Sequence, residues 1–403
     1  MNFFCHLAFL AAALFSWAAF AVENLPDDNV ADCYRPIEGG WAIHLSPDPN
    51  APRLEPGSRI GVVDRASSYG EGHAFYRPGA GDNPRLHRRP LYPPGDKSLV
   101  WNEEERAKFP QCGFRPLVIA YNEPRFLFDF HGAGGLLGHL YIGLALDNGT
   151  SKWFHQWTDL NVRYVDGRME YVLSDPAFPG VQVRLSAGAL AASVGLVVKV
   201  EVEGAGDDAS LVWAYGGASA FFTNYAMTDP HFNFAPEQCV KDTIAWKDGV
   251  FSLTRAFDKT DSVMEQVFAA PHFLPGWKAV VKGGRSLDGE GGLGDPSKFT
   301  APPSELLQSM DPESRENTNC VAVNQIWLSR QSGRAFIVVG MGGNIDEAIR
   351  KPEAAFDAML ARNKDIASRV IVHTPDPYLN AAATMMAFLT DGTWGDSTVV
   401  HGG

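Results

Sequence analysis

Near the C-terminal end of the chain, Asp391-Gly392-Thr393-Trp394 and then His401-Gly402-Gly403 gather residue types that suit a hydroxyl-rich ligand. An exposed Trp offers a flat apolar face to the C–H side of a pyranose ring, while Asp and His supply directional hydrogen bonds to hydroxyls. The competing reading is that Asp391-Gly392 only closes a helix and Trp394 packs on it. Hydrolysis of a glycosidic bond by the usual route needs two carboxylates roughly 5 to 10 Å apart. Asp391 and Asp396 lie close in sequence, but nothing places them as that pair, so no catalytic residue is assigned. Arg88, Arg89 and Tyr92 lie on a proline-bounded loop. A bidentate Arg would suit an acidic sugar such as a uronate, and the alternative for these residues is a structural role at an interface.

Other chemistry finds little support. The run from Phe130 to Gly138 is rich in glycine, yet a dinucleotide site needs a helix next and an acidic residue about twenty positions on. His139 to Leu146 alternates like a strand instead, so a hairpin with close backbone approach is expected there. Gly217-Ala218-Ser219-Ala220-Phe221 lacks the final glycine of a nucleophile elbow. The HExxH, Walker A and EF-hand patterns are absent. His87, His131, His139, His155 and His231 are dispersed along the chain, and satisfied or exposed histidines are expected rather than ligands; neither a metal nor a cofactor is expected. Trp153-Phe154-His155-Gln156-Trp157 and His231-Phe232-Asn233-Phe234 can either line a carbohydrate cleft or fill the space between sheets, and filling is the commoner use.

The elements that must position these residues follow from composition and periodicity. The chain has 403 residues, 34 Lys and Arg against 47 Asp and Glu, and a net charge of −13. Hydrophobic residues make up 45% and charged residues 20%, which is the profile of a packed protein and not of a disordered one. The acidic balance, without a block of basic residues, argues against nucleic acid as a partner. With 40 Gly and 27 Pro, turns are frequent and a helical bundle is disfavoured.

From Leu117 to about Gly340, short runs of period two alternate with turn residues, the mark of a large antiparallel β structure. Phe126 to Phe130, His139 to Leu144, Val181 to Leu185 and Leu196 to Val202 are clear strands, with Trp327-Leu328-Ser329 and Ala335 to Val339 as closing ones. Asp147-Asn148-Gly149, Asp166-Gly167 and Asp248-Gly249 supply hairpin turns, since Asp, Asn and Gly tolerate positive φ. After Gly342-Gly343 the pattern becomes helical, with Asn344 and later Asp376 as caps and Pro377 in a first turn. The last helix is expected to bury Leu379, Ala382, Ala383, Met386 and Leu389 and to stop at Asp391-Gly392, with a loop after it. The expected fold is therefore mainly β: a large antiparallel β-sandwich over residues 22–342, which includes an irregular N-terminal segment, then a helical stretch.

Residues 3 to 20 are almost wholly apolar and end in Ala19-Phe20-Ala21, so residues 1–21 read as a signal peptide and the mature chain as periplasmic or extracellular. An N-terminal membrane anchor is the alternative; no membrane contact is expected once the leader is removed. Cys33, Cys112, Cys239 and Cys320 then remain, an even number in an oxidising space, with three possible pairings or none.

The C-terminal motifs resemble a known family. Thr374-Pro375-Asp376-Pro377, then Asp391-Gly392-x-Trp394 and His401-Gly402 are similar to the junction in secreted bacterial six-hairpin glycosidase-like proteins, which more often carry Ala at the position of Gly403. Arg89-Pro90-Leu91-Tyr92 and Asp166-Gly167-Arg168-Met169-Glu170-Tyr171 are weaker matches upstream. The resemblance implies a β-supersandwich, a linker helix over 343–373 and, from 374 to 403, the start of an (α/α)6 toroid, the chain ending where the toroid begins. It implies a glycoside-hydrolase-like protein of carbohydrate metabolism acting on a polysaccharide or glycoconjugate, with Asp391, Trp394, His401, Arg89 and Tyr92 contacting substrate. A non-catalytic carbohydrate-binding sandwich of the envelope is the main alternative. A mutarotase-like or lyase activity within the sandwich is a third.

Overall fold

The computed structural model describes residues 35–45, 116–120, 123–130, 135–218, 234–256, 278–284, 289–331, 333–341, 344–395 and 398–399. They form a mainly β structure, an antiparallel β-sandwich with helices on its outside. One sheet has eleven strands in the spatial order Arg35–Ile37, Gly40–Leu45, Asp159–Val165, Arg168–Ser174, Gln182–Ala189, Val194–Glu203, Arg334–Met341, Lys278–Gly284, Val250–Ala256, Asp242–Lys247 and Glu316–Thr318. The other has seven: Gly289–Gly294, Val321–Trp327, Ala209–Gly216, Gly135–Leu146, Arg125–Phe130 and Pro116–Ala120, with Ser151–Trp153 paired to the far half of Gly135–Leu146.

Local chemistry accounts for the hairpins. Asp166 and Gly167 take φ of 44° and 74°, and Asp248 and Gly249 take 52° and 75°, the left-handed pair that a two-residue turn between twisted strands requires. Strands with one covered face alternate: in Arg168–Ser174, Met169, Tyr171 and Leu173 are buried and their neighbours are partly exposed. Ala209–Gly216 is buried at every position because both of its faces are covered.

The main core lies between the sheets. Leu140, Ile142, Leu211, Trp213 and Tyr215 of the smaller sheet meet Tyr171, Leu185, Val198, Val200 and Phe251 of the larger. Tyr215 stacks on Phe251 at 4.9 Å, and Trp213 lies 6.1 Å from Trp246 and 5.9 Å from Phe251. The expected close approach in the glycine-rich hairpin is found at Gly138. Its φ is 135°, and a Cβ there would come within 2.7 Å of the Tyr215 ring. One polar side chain breaks the apolar pattern: Asn324, 1% exposed, faces this core, and neither amide atom has a hydrogen-bond partner among the described residues.

Two further layers cover the outer faces. The 3₁₀ turns Pro236–Cys239 and Pro296–Lys298 and the helix Pro303–Gln308 lie on the smaller sheet, burying Tyr141, Trp153, Val212, Phe234, Cys239, Phe299 and Leu306. The helices Ile345–Arg350 and Pro352–Ser368 lie on the larger sheet, where Ile345, Ile349, Phe356 and Met359 pack on Leu190, Val197 and Val338. No helix among the described residues is long and apolar enough to cross a membrane.

The last helix, Pro377–Thr393, contacts the strands Arg35–Ile37 and Gly40–Leu45 and the helix Pro352–Ser368. One position of its expected buried side, Leu379, is corrected. Ala381 is buried in the main core and Phe388 lies over the Asp166-Gly167 turn, whereas Leu379 is 56% exposed. Helical periodicity alone could not choose between the faces, since the helix is apolar nearly all round. A Cβ on Gly167 would clash with the Phe388 ring, and Gly167 also needs its positive φ. Gly167→Val is therefore expected to destabilise the protein by about 2 kcal/mol or more and to loosen this helix first. Hydrogen exchange at residues 381 to 390 reads the loosening directly.

Two other expectations are corrected. Strand Val321–Trp327 stops at Trp327, and Leu328–Gln331 forms a 3₁₀ turn instead of a closing strand. The final helix runs past Asp391-Gly392 to Thr393, and the segment after it is an antiparallel ribbon, with Trp394 opposite Val399 and Gly395 opposite Thr398.

Candidate functional site

The junction between sandwich and last helix is built by a small polar clip. The Thr374 backbone N–H donates to Asn380 Oδ1 at 2.8 Å, and Asn380 Nδ2 donates back to the Thr374 carbonyl at 2.9 Å. The Asp376 N–H donates to Thr374 Oγ1 at 3.2 Å. Side-chain bonds of this kind satisfy backbone groups that a helix start would otherwise leave open. They fix the path by which the chain enters the helix, while Pro377 occupies its first position. The helix then carries Asp391 in its last turn, and Trp394 heads the terminal ribbon that follows it. Phe388, one turn before Asp391, lies over the Asp166-Gly167 turn. His401, Arg89 and Tyr92 lie outside the described residues, as do Arg88, His87, His131 and His231.

A second polar group lies under the outer layer of the smaller sheet, where sequence reading did not assemble it. Arg125, His139 and Tyr141 project from adjacent strands, and His155 and Gln238 come from two 3₁₀ turns. Tyr141 lies 4.4 Å from His155 and 4.7 Å from Phe299, while Phe234 stacks on Phe299 at 3.9 Å and meets His139 edge-on at 5.7 Å. Burial, helped by the Arg125 charge, holds the His139 and His155 imidazoles down to about 3; a hydrogen bond from His139 to Gln238 opposes the shift only in part. Both rings are neutral at neutral pH and too weakly basic to take a proton there. The geometry is that of a packed aromatic layer with buried polar atoms. His155 Nδ1 and His139 Nε2 have no hydrogen-bond partner among the described residues.

The remaining groups are also structural. Asp175 is buried and accepts from Lys152 Nζ at 2.7 Å, from the Ala177 N–H at 3.0 Å and from the Thr158 N–H at 3.1 Å. It locks the turn at Pro176-Ala177. His44 Nε2 meets Asp159 Oδ1 at 2.7 Å and Ser174 Oγ donates to Asp159 Oδ2 at 3.1 Å. The carboxylate stands between the other two, so the imidazole cannot activate the serine as a hydrolase triad requires. Trp153 donates its indole N–H to the Ala301 carbonyl at 2.7 Å, and Trp157 stacks on Phe178 at 5.0 Å. Both fill space, as does Phe234; the rest of the His231 to Phe234 run lies outside the described residues. Among the described residues no group of three or more His, Cys, Asp or Glu could hold a metal ion.

A family model described as a domain of unknown function, DUF4450, matches residues 133–271. No curated protein is recognisably similar to the chain in sequence. Among solved structures it is similar to a bacterial glucoamylase complexed with acarbose, at 9% identity and a TM-score of 0.37. That match covers 78% of this chain and 42% of the glucoamylase chain, so the chain spans less than half the length of that relative.

Proposed function

We propose that this chain is the N-terminal portion of a secreted, glycoside-hydrolase-like protein acting on glycosidic bonds of a polysaccharide or glycoconjugate. The sandwich serves mainly as scaffold, and the helix Pro377–Thr393 is the first of an (α/α)6 toroid. One observation carries the reading. The two stretches of the family resemblance at Asp166 to Tyr171 and Thr374 to Trp394 are separated by some two hundred residues, yet they meet where Phe388 covers Gly167. Leu379 of this helix, 56% exposed, is an apolar residue that a further helix packed on that side would cover. In this proposal Asp391, Trp394 and His401 line the mouth of the sugar site, and Arg89 and Tyr92 reach it from the N-terminal segment.

Reducing-end release by the complete gene product tests this. Trp394→Ala is expected to lower kcat/KM about tenfold through the lost ring contact. Asp391→Ala is expected to cost about 10 to 100-fold if its carboxylate bonds a substrate hydroxyl. Unchanged release in both variants, with the protein folded, removes the assignment of the site. Glycan binding without release by the complete protein favours a binding module over an enzyme.

A further inference from the structure

Cys239 ends the 3₁₀ turn Pro236–Cys239, and Cys320 joins the strands Glu316–Thr318 and Val321–Trp327. Both are buried and both carry free thiols. The backbone brings them to one place. Thr318 pairs with Thr243 in the larger sheet, and one step on the Asn319 N–H donates to the Asp242 carbonyl at 3.2 Å. Asn319 takes a φ of 52°, and this left-handed residue turns the chain out of the larger sheet into the smaller one. There Tyr215 pairs with Ala322, and a Cβ on Gly216 would lie 2.6 Å from Val321 Cγ1. Gly217 follows the strand Ala209–Gly216 and Cys320 precedes Val321–Trp327, at the same end of this antiparallel pair. The Cys239 thiol is hydrogen-bonded to the backbone of that same Gly217.

We propose that Cys239 and Cys320 close a disulfide when the protein folds in an oxidising compartment, which selects one of the three pairings open to the four mature cysteines. The proposal shares with the proposed function only the exported location, and oxidation of the purified protein tests it independently. The bond would close a loop of roughly eighty residues that includes the edge of the larger sheet. In the exchange, one cysteine loses its proton and attacks a disulfide oxidant such as oxidised glutathione, expelling one glutathione thiolate. The second cysteine, deprotonated in turn, attacks the protein sulfur of the mixed disulfide and expels the other. The protein loses two electrons and two protons, and the oxidant becomes two thiols. Burial raises both thiols, Cys320 to about 11 and Cys239 further, with the nearby Asp242 charge adding to the effect. Thiolates are therefore scarce in the folded protein. Closure belongs to the folding stage, before the sulfurs are covered, and the closed bond resists reductant until the protein unfolds.

The experiment refolds the reduced full chain in a mixture of reduced and oxidised glutathione, blocks remaining thiols with N-ethylmaleimide under denaturing conditions, and maps peptides without reduction. A peptide pair joining Cys239 to Cys320, lighter by two hydrogens than the separate peptides and lost on reduction, is expected. A lower denaturation midpoint in the presence of reductant should accompany it. Maleimide on both cysteines of the folded, oxidised protein overturns the proposal, and so does linkage of either one to Cys33 or Cys112. If the chain does not refold, the same mapping on protein exported to the periplasm of an expression host yields the same alternatives.

Discussion

Trp213→Ala is expected to lower the unfolding free energy by about 3 to 5 kcal/mol, the usual cost of emptying a fully buried aromatic site. Trp213 is 1% exposed, pairs across the smaller sheet with Ile142 and Asn324, and reaches over to Trp246 and Phe251 of the larger one. It thus ties the two sheets together at the middle of the core. The indole is too large for neighbours to fill its place, because they are themselves held by strand register on both sides. Denaturant titration followed by circular dichroism measures the loss. Leu379→Ala is the control: with Leu379 largely exposed, its change should stay within about 0.5 kcal/mol. Equal effects in the two variants would mean that the sheets do not pack as described.

Acid should weaken the fold well before the carboxylates titrate. His139 is held to about 3 in the folded protein against 6.5 when free. Between those values the unfolded chain binds a proton that the folded one does not, so stability falls as pH drops through the window from about 6.5 to 3 and is fully present above it. For His139 the difference between pH 7 and pH 5 comes to about 2 kcal/mol. His155, held to about 3 for the same leading reason, adds a comparable share. Urea midpoints at the two pH values measure the slope, and His139→Gln is expected to flatten it. A slope unchanged by that substitution would show that His139 is not the group that couples folding to pH.

Much of this architecture was readable from the chain, for a reason that also marks where reading stops. A strand with one face to water must alternate, and Asp159–Val165 and Arg168–Ser174 do so, with an Asp-Gly turn between them that only a left-handed pair can close. Ala209–Gly216 carries no such code because both faces are covered. The outer-face group was equally hidden. Arg125, His139, His155 and Gln238 share no spacing, and only the stacking of two layers brings them together. The last helix was visible through Pro377 and its apolar run, but a helix apolar on every side does not say which side is taken. Leu379 was expected inside and lies outside. The choice of Asp391 and Trp394 rests on their residue types and a family pattern, and the structure adds the ribbon in which Trp394 stands opposite Val399.

The strand Arg334–Met341 occupies the middle of the eleven-stranded sheet, between Val194–Glu203 and Lys278–Gly284. It is therefore a keystone made late in synthesis. The meander from Asp159 to Glu203 can form from neighbours in sequence, but its open edge waits for a partner that leaves the ribosome well over a hundred residues afterwards. Until then two half-sheets stand with unpaired backbone groups, the condition in which β chains are slow to fold and prone to stick to one another. This order also means that residues 133–271 taken alone would not be a folding unit.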